Sequence, residues 1–535
     1  MPAGQTPLRV PLLIAAAACA LYLFCGFQRD FWAPDEPDFA EHVREMLERG
    51  RYLVPYENGK PYGEKPILFY WAVAATTPFS GGDVHPGATR LPSVLSAAFL
   101  VFGAAWLAGF RGTREEALLA GAMTAVVPLV LWQGQFLQID AMFSALLLAG
   151  LLAMLLIEED PEHAGRWRWV FQLILPLAVL TKGPLAIALL GLVAAVRAVN
   201  ARSWRPILVL GPLRGALVLL ALVVPWYVAA AREGGPEYAY NLIVNQNWNR
   251  FFHAFDHVQP WWYYLKKIWG DFAPFTPLAL AAPFVLQRAG LFRSRPELRF
   301  AGIAIVTAFV FLSLSGSKQG KYLLVAYPLA AALTAAAVGE LQRRGGGGLR
   351  AVRGYVLLVA AALVGGSLAL VLITRLRLPQ LAPLAPLVAV PLVLGALGVG
   401  ALLMLRRRDA VPALLALCAT FAAAEGVAAA VVFPAIDPLK TGRAIYERIR
   451  PAVSHGEPLA YYGPTYHSYA ILVLRRRTEH FRNEDDLARW VERTPGARVL
   501  VDESVYARFT NPLLRSLTVH DRQPVGQDAT LFLGR

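Results

Sequence analysis

Several short stretches carry residues that can do chemistry. Asp35 and Glu36 stand side by side between Trp32, Pro34 and Pro37. Adjacent carboxylates can take a proton, hold a cation or, more simply, cap the helix that follows. Glu64 and Lys65 sit between Lys60-Pro61 and Pro66, as a surface ion pair or as a held pair of charges. Asp140 is an isolated acid where an apolar run begins, either an N-cap or a buried functional carboxylate. Lys182, in Thr181-Lys-Gly-Pro184, either snorkels to the interface or points at an anion. Lys318 and Lys321 flank glycines and serines, so their turn is either a plain polar turn or a phosphate cradle. Its spacing is not that of a Walker loop. Arg250, His253 and His257 lie in an aromatic-rich stretch that ends in Trp261-Trp-Tyr-Tyr264. The two histidines at i, i+4 are ordinary interfacial residues or a metal pair.

What holds these residues is a membrane bundle. Of the 535 residues, 56% are hydrophobic and 16% charged, against roughly 25% charged in soluble proteins. Long apolar runs recur between short basic breaks, which excludes a soluble enzyme, a disordered scaffold and a disulfide-built domain. The three cysteines all lie in apolar runs and form no metal or disulfide pattern. A helix crosses the bilayer core in about 20 apolar residues. Thirteen spans are expected, near 8–27, 88–110, 115–135, 138–157, 167–181, 184–198, 206–230, 273–288, 300–315, 322–340, 353–374, 383–405 and 411–433. The run 66–79 is too short and reads as re-entrant or interfacial. The first run is expected to be a retained anchor, since no clean cleavage site follows it.

Arginines in one alternating set of loops place those loops and the N-terminus in the cytoplasm. Topology therefore explains most of the net charge of +14, and no nucleic-acid partner is needed. The chain has 43 arginines and 8 lysines, and every lysine falls on the opposite, outer side. That is either chance or a need for compact ammonium charges that bind phosphate.

The expected organisation is a membrane domain over 1–436 with outer loops 28–65 and 231–272, then an outer α/β domain over 437–535. Within the first loop, Phe39, Val43, Met46 and Leu47 make one apolar stripe ended by Gly50, so an amphipathic helix should lie on the membrane face. In the tail, 459–462, 470–474, 498–501 and 529–533 read as strands, and 483–491 as a capped helix.

The chain resembles the bacterial lipid-to-lipid glycosyltransferases related to the protein O-mannosyltransferases (GT-C superfamily), the aminoarabinose transferases of lipid A above all. The resemblance rests on Asp35-Glu36 with the helix after it, Gly63-Glu-Lys-Pro66, Thr89-Arg-Leu-Pro92, Asp140, Lys182-Gly-Pro184, His257-x-x-Pro-x-x-Tyr-Tyr264 and Ser315-x-x-Lys318. It covers about residues 28–330.

The resemblance implies a polytopic GT-C-like enzyme of the bacterial inner membrane whose active site faces the periplasm. It implies transfer of a sugar from undecaprenyl phosphate, 4-amino-4-deoxy-L-arabinose in that branch, to lipid A or another glycan or protein. Asp35, with Glu36 beside it, resembles the catalytic carboxylate and Asp140 a second essential acid. Lys65 resembles the ligand of the polyprenyl phosphate, with Tyr62 beside it. Lys182, Arg250, Lys318 and Lys321 are further cations for the same phosphate. Glu64 and His257 resemble a pair holding a divalent metal, zinc or magnesium. Where that branch carries Arg after the acid pair, this chain has Pro37 and Asp38. The competing expectation is a transporter or flippase of a lipid-linked sugar, which would place its polar groups near the midplane and show internal repeats.

Overall fold

A computed structural model describes residues 6–249, 257–406, 409–453, 456–464, 467–526 and 528–535. A helix occupies each of the thirteen expected spans, because in hydrocarbon only a helix satisfies its own backbone within one segment. Among the described residues, eight helices are long and apolar enough to cross a membrane, and two bent pairs bring the number to ten. The other three spans are helices too. Leu185–Ala201 is shorter, while Ala164–Lys182 and Ala326–Arg344 carry charged residues at their ends.

The bends have local causes. The span expected at 115–135 turns by 68° between Val126 and Pro128. Pro128 cannot continue the ladder, and it pushes Val127 into an extended conformation (φ −60°, ψ 134°). The second pair, Tyr263–Asp271 and Thr276–Arg288, bends by 106° around Pro274. The run at 66–79 is a seven-residue helix, Leu68–Ala74, and a short 3-10 turn.

The chain divides into two compact units, the first containing residues 1–26, 63–69 and 90–431 and the second 27–62, 70–89 and 432–535. The first outer loop was expected to belong with the membrane domain; its residues 28–62 instead fall in the same unit as the tail, and 63–65 in the first unit.

Within the first unit, ion pairs converging on the buried Glu116 join three helices. Arg295 meets Glu116 at 2.6 Å and Glu297 at 2.8 Å, and Arg343 meets the other oxygen of Glu116 at 2.9 Å. Five helices position the residues of interest: α1 (Arg9–Phe27), α2 (Asp35–Arg49), α3 (Ile139–Glu159), α4 (Ala164–Lys182) and, in the tail, α5 (Arg443–Val453).

Helix α2 follows its apolar stripe, with Val43 and Met46 fully buried, and Gly50 ends it in the left-handed conformation (φ 62°). It differs from a helix lying on a membrane face, because Glu41, His42, Arg44 and Glu45 on its other side are buried as well. Arg44 forks onto Glu41 (2.5 and 2.7 Å), and Glu45 receives Arg49 (2.6 Å) and the Gly59 N–H (3.2 Å). Residues over both faces, not bilayer under one, define this helix.

The tail holds a five-stranded sheet. Its strands are β1 (Leu459–Tyr462), β2 (Glu479–Phe481), β3 (Arg498–Asp502), β4 (Thr518–Val525) and β5 (Asp528–Gly534), in the order β2-β1-β3-β5-β4. β1 runs parallel to β2 and β3, and the β3–β5 and β5–β4 pairs are antiparallel. Asn483 caps the expected helix, accepting from the Asp485 and Asp486 N–H groups at 2.8 and 3.3 Å. The segment expected as a strand at 470–474 is instead helix α6 (Ser468–Leu474). All seven of its residues are buried, and a short run apolar on every side carries no period that tells strand from helix.

Candidate functional site

Asp140 is the second residue of α3, 2% exposed. Lys182 ends α4, and its ammonium donates to Asp140 Oδ1. Gly183, with φ 87°, ends that helix, so the lysine projects from a helix terminus instead of lying along its flank. Lys321 reaches the other oxygen, Oδ2, at 3.6 Å. Lys65 acts on the same carboxylate through its charge. The ring of Tyr322 lies under the Lys182 ammonium at 4.3 Å, a cation–π contact. Lys65, Asp140, Lys182 and Lys321 all belong to the first unit. Three ammonium groups around one carboxylate leave a net positive charge. A buried carboxylate is tolerated only when paired, and a cluster with cations to spare attracts an anion.

Lys318, expected among these cations, has a different task. It is 4% exposed, and its ammonium donates to the carbonyls of Ser315 and, at 2.9 Å, Gln259. Its backbone N–H donates to the His257 carbonyl at 3.0 Å. Tyr264, fully buried, donates to the Gln319 carbonyl at 3.3 Å. Lys318 thus staples the turn that presents Lys321.

The sequence pattern gave no reason to single out Asp271. Its carboxylate faces Lys267 at 3.6 Å and accepts from Tyr327 Oη at 3.2 Å. A Cβ on Gly320 would come within 3.0 Å of its Oδ2, so this acid packs directly against the Gly320-Lys321 turn. The signal was present only as an acid following Lys266-Lys267 in an aromatic stretch.

Glu64 and His257 are both in the first unit, and His257 is exposed with φ 49°. Among the described residues no three His, Cys, Asp or Glu side chains come together to hold a metal ion. Arg250, with His253, lies outside the described residues.

The remaining expected residues are in the second unit. Asp35 opens α2 and is half-buried; the helix is flanked by Pro34, and no side chain caps it. Glu36, next to it, is fully buried and committed. It receives Arg29 at 2.5 Å and 3.4 Å, and the Trp32 backbone N–H at 2.8 Å. The Arg29 guanidinium also lies over the Trp32 ring at 4.5 Å. The two adjacent acids therefore differ: Glu36 is sealed in the turn, and Asp35, half-buried, stands at the head of the helix. Tyr62 stacks on His42 with ring centroids 4.0 Å apart. Burial pushes the His42 imidazole down to about 3, so it stays neutral as a packing surface for that tyrosine.

The family model for dolichyl-phosphate-mannose-protein mannosyltransferases matches residues 8–233. The undecaprenyl phosphate-alpha-4-amino-4-deoxy-L-arabinose arabinosyl transferase of Pseudomonas savastanoi pv. phaseolicola is 30% identical over 365 residues, 67% of this chain and 66% of that protein. The matched part of the chain spans between 56% and 66% of the length of such curated relatives. Crystal structures of ArnT from Cupriavidus metallidurans superpose with TM-scores of 0.80 in the apo state and 0.79 bound to undecaprenyl phosphate. Each is 22% identical and covers 97% of both chains, which establishes the fold.

Proposed function

We propose that this chain, a GT-C-fold membrane protein similar to the aminoarabinose transferases and the protein O-mannosyltransferases, is an inverting glycosyltransferase. It moves a sugar from undecaprenyl phosphate to an acceptor at the periplasmic face of the bacterial inner membrane. The transfer that best fits its relatives is 4-amino-4-deoxy-L-arabinose to lipid A. The observation that carries this reading is the cluster of Lys65, Lys182 and Lys321 around Asp140.

The chemistry follows from the leaving group. When the bond between the anomeric carbon and the phosphate oxygen breaks, its electrons stay on the phosphate, which needs no general acid. What the transition state needs is positive charge already in place beside those oxygens. The lysine cluster supplies it, and Asp140 holds two of the three ammonium groups in register. The acceptor oxygen attacks the opposite face of the anomeric carbon, so configuration inverts. Asp35 takes the acceptor's proton where that acceptor is a hydroxyl and orients it where it is an ionised phosphate. A donor anchored by a prenyl chain never leaves the bilayer, which is why the enzyme is a bundle of spans.

The test is transfer of radiolabelled sugar from undecaprenyl phosphate by the purified full-length protein. The wild type should transfer and Asp35→Asn should not, at unchanged expression and melting behaviour. Wild-type turnover in that variant refutes the role of Asp35. A wild type that moves the lipid across vesicles without transferring sugar refutes the enzyme reading in favour of a flippase.

A further inference from the structure

In the second unit the loop that carries Asp35 is held by the tail along most of its length. The Asp30 carboxylate receives the fork of Arg443 (one nitrogen at 3.1 Å), the hydroxyl of Tyr469 at 2.7 Å and the Phe31 N–H at 2.7 Å. The Asp30 N–H in turn donates to Asp437 at 3.0 Å, and the Trp32 indole N–H donates to the same carboxylate at 2.5 Å. The Trp32 ring packs edge-on against Phe433 with centroids 5.2 Å apart. Arg29, Phe31 and Trp32 are between 1% and 4% exposed. Beyond α2 the loop is tied again. Ser468 donates to Glu57 at 2.9 Å, and Asn58 exchanges two hydrogen bonds with the Thr478 backbone at 2.7 and 3.0 Å. All these residues lie within the one unit.

This pattern differs from the tail's own surface pairs. Arg448–Asp521 and Arg522–Glu503 join exposed side chains within the tail, where an ion pair contributes little. Those pairs are bidentate as well; the bonds to the loop differ in that Arg443, Tyr469 and the Phe31 N–H converge on one carboxylate, Asp30, whose side chain is 14% exposed, while Asp437 takes donors from both Asp30 and Trp32.

We infer that the tail domain is the positioning clamp of the Asp35 loop, with Arg443 and Tyr469 as positioning residues that act through Asp30. The chain from clamp to acid is short. Asp30 fixes residues 30–32, the Trp32 N–H seats Glu36, and Glu36 sets the first turn of α2, where Asp35 stands. This inference rests on the proposed role of Asp35. It assigns the tail a part in turnover, exerted through the Asp35 loop.

The experiment uses full-length Arg443→Ala, Arg443→Lys and Tyr469→Phe. Arg443→Ala should lower kcat at least tenfold while the donor KM stays within twofold. Arg443→Lys, which keeps the charge and one bond, should retain at least a third of wild-type kcat. Tyr469→Phe should fall between the two. Hydrogen exchange of the same proteins should show residues 28–36 losing protection in Arg443→Ala while the sheet amides of 498–502 keep theirs. A kcat within twofold of wild type in Arg443→Ala overturns the clamp. So does an equal loss of protection in loop and sheet, which would make Arg443 a general stabiliser of the tail. If the wild type transfers no sugar at all, the proposed function fails, and the exchange comparison still decides the clamp.

Discussion

Removing Lys182 tests the lysine cluster most directly, because the ion pair and the proposed phosphate contact give opposite expectations for one double variant. The Lys182 side chain is 10% exposed and that of Asp140 3%. Breaking a buried pair from one side typically costs about 3–5 kcal/mol, because the charge left behind is uncompensated. Lys321 at 3.6 Å, with the charge of Lys65, stays beside Asp140, so Lys182→Ala should fall at the low end, ~3 kcal/mol. Removal of one preorganised donor from a developing oxyanion lowers kcat by about 10²- to 10³-fold, and that loss is expected on top of the lost stability. In Asp140→Asn/Lys182→Ala the stranded carboxylate is gone. The melting midpoint should recover in part, while turnover should stay at or below the level of Lys182→Ala, since Lys321 also loses the carboxylate that holds it. The assays are melting in detergent and initial rates with saturating labelled donor. If the double variant regains wild-type turnover, Lys182 only neutralises Asp140 and the phosphate assignment fails. If its turnover drops more than tenfold below Lys182→Ala, Asp140 contributes beyond its pair with Lys182, and Lys321→Ala in the same background shows whether that contribution runs through Lys321.

Lys65→Ala should raise the apparent KM for the donor, since it removes one of the positive charges that act on the Asp140 cluster; an unchanged KM removes it from the phosphate site. Glu36→Gln should lower the melting midpoint clearly, because it breaks a pair in which both side chains are fully buried, a loss of about 3–5 kcal/mol. Equal midpoints for Glu36→Gln and Asp35→Asn would refute the division of labour between the two acids.

How much of this was legible in the sequence depended on the range of each interaction. The stripe Phe39–Val43–Met46 and Gly50 predict α2 because a helix repeats within four residues, and the structure starts it only two residues earlier than Pro37. Asn483 marks its helix start for the same reason. The buried polar face of α2 was not legible, because its partners, Gly59 and Arg477 among them, are distant in sequence from the residues they meet. Glu36 looked like half of an acid pair because its neighbour is an acid; its true partner, Arg29, is seven residues back across a turn. Asp30 carried no signal at all, since what gives it a role is Arg443, 413 residues away. Lys318 and Lys321 are three residues apart and alike in sequence, yet one bonds carbonyls and the other a carboxylate. Only the path of the turn separates them.

The unequal use of arginine and lysine now has a physical sense. Where the fold needs a fixed joint, it uses a guanidinium: Arg29 on Glu36, Arg295 on Glu116 and Glu297, Arg443 on Asp30. A planar fork satisfies two acceptors in one geometry and resists being pulled away. Around Asp140 and Asp271 the chain places ammonium groups instead, from Lys65, Lys182, Lys321 and Lys267. An ammonium is a point charge on a flexible stem, and it can exchange a carboxylate for a phosphate oxygen without losing a second bond. On the proposed function, the charge on the leaving phosphate grows as the sugar departs, so cations that can shift toward it by a fraction of an ångström serve better than a rigid fork. Lys182→Arg should therefore keep the pair with Asp140 and still turn over poorly, which is the sense in which these lysines are not interchangeable with the arginines that build the rest of the molecule.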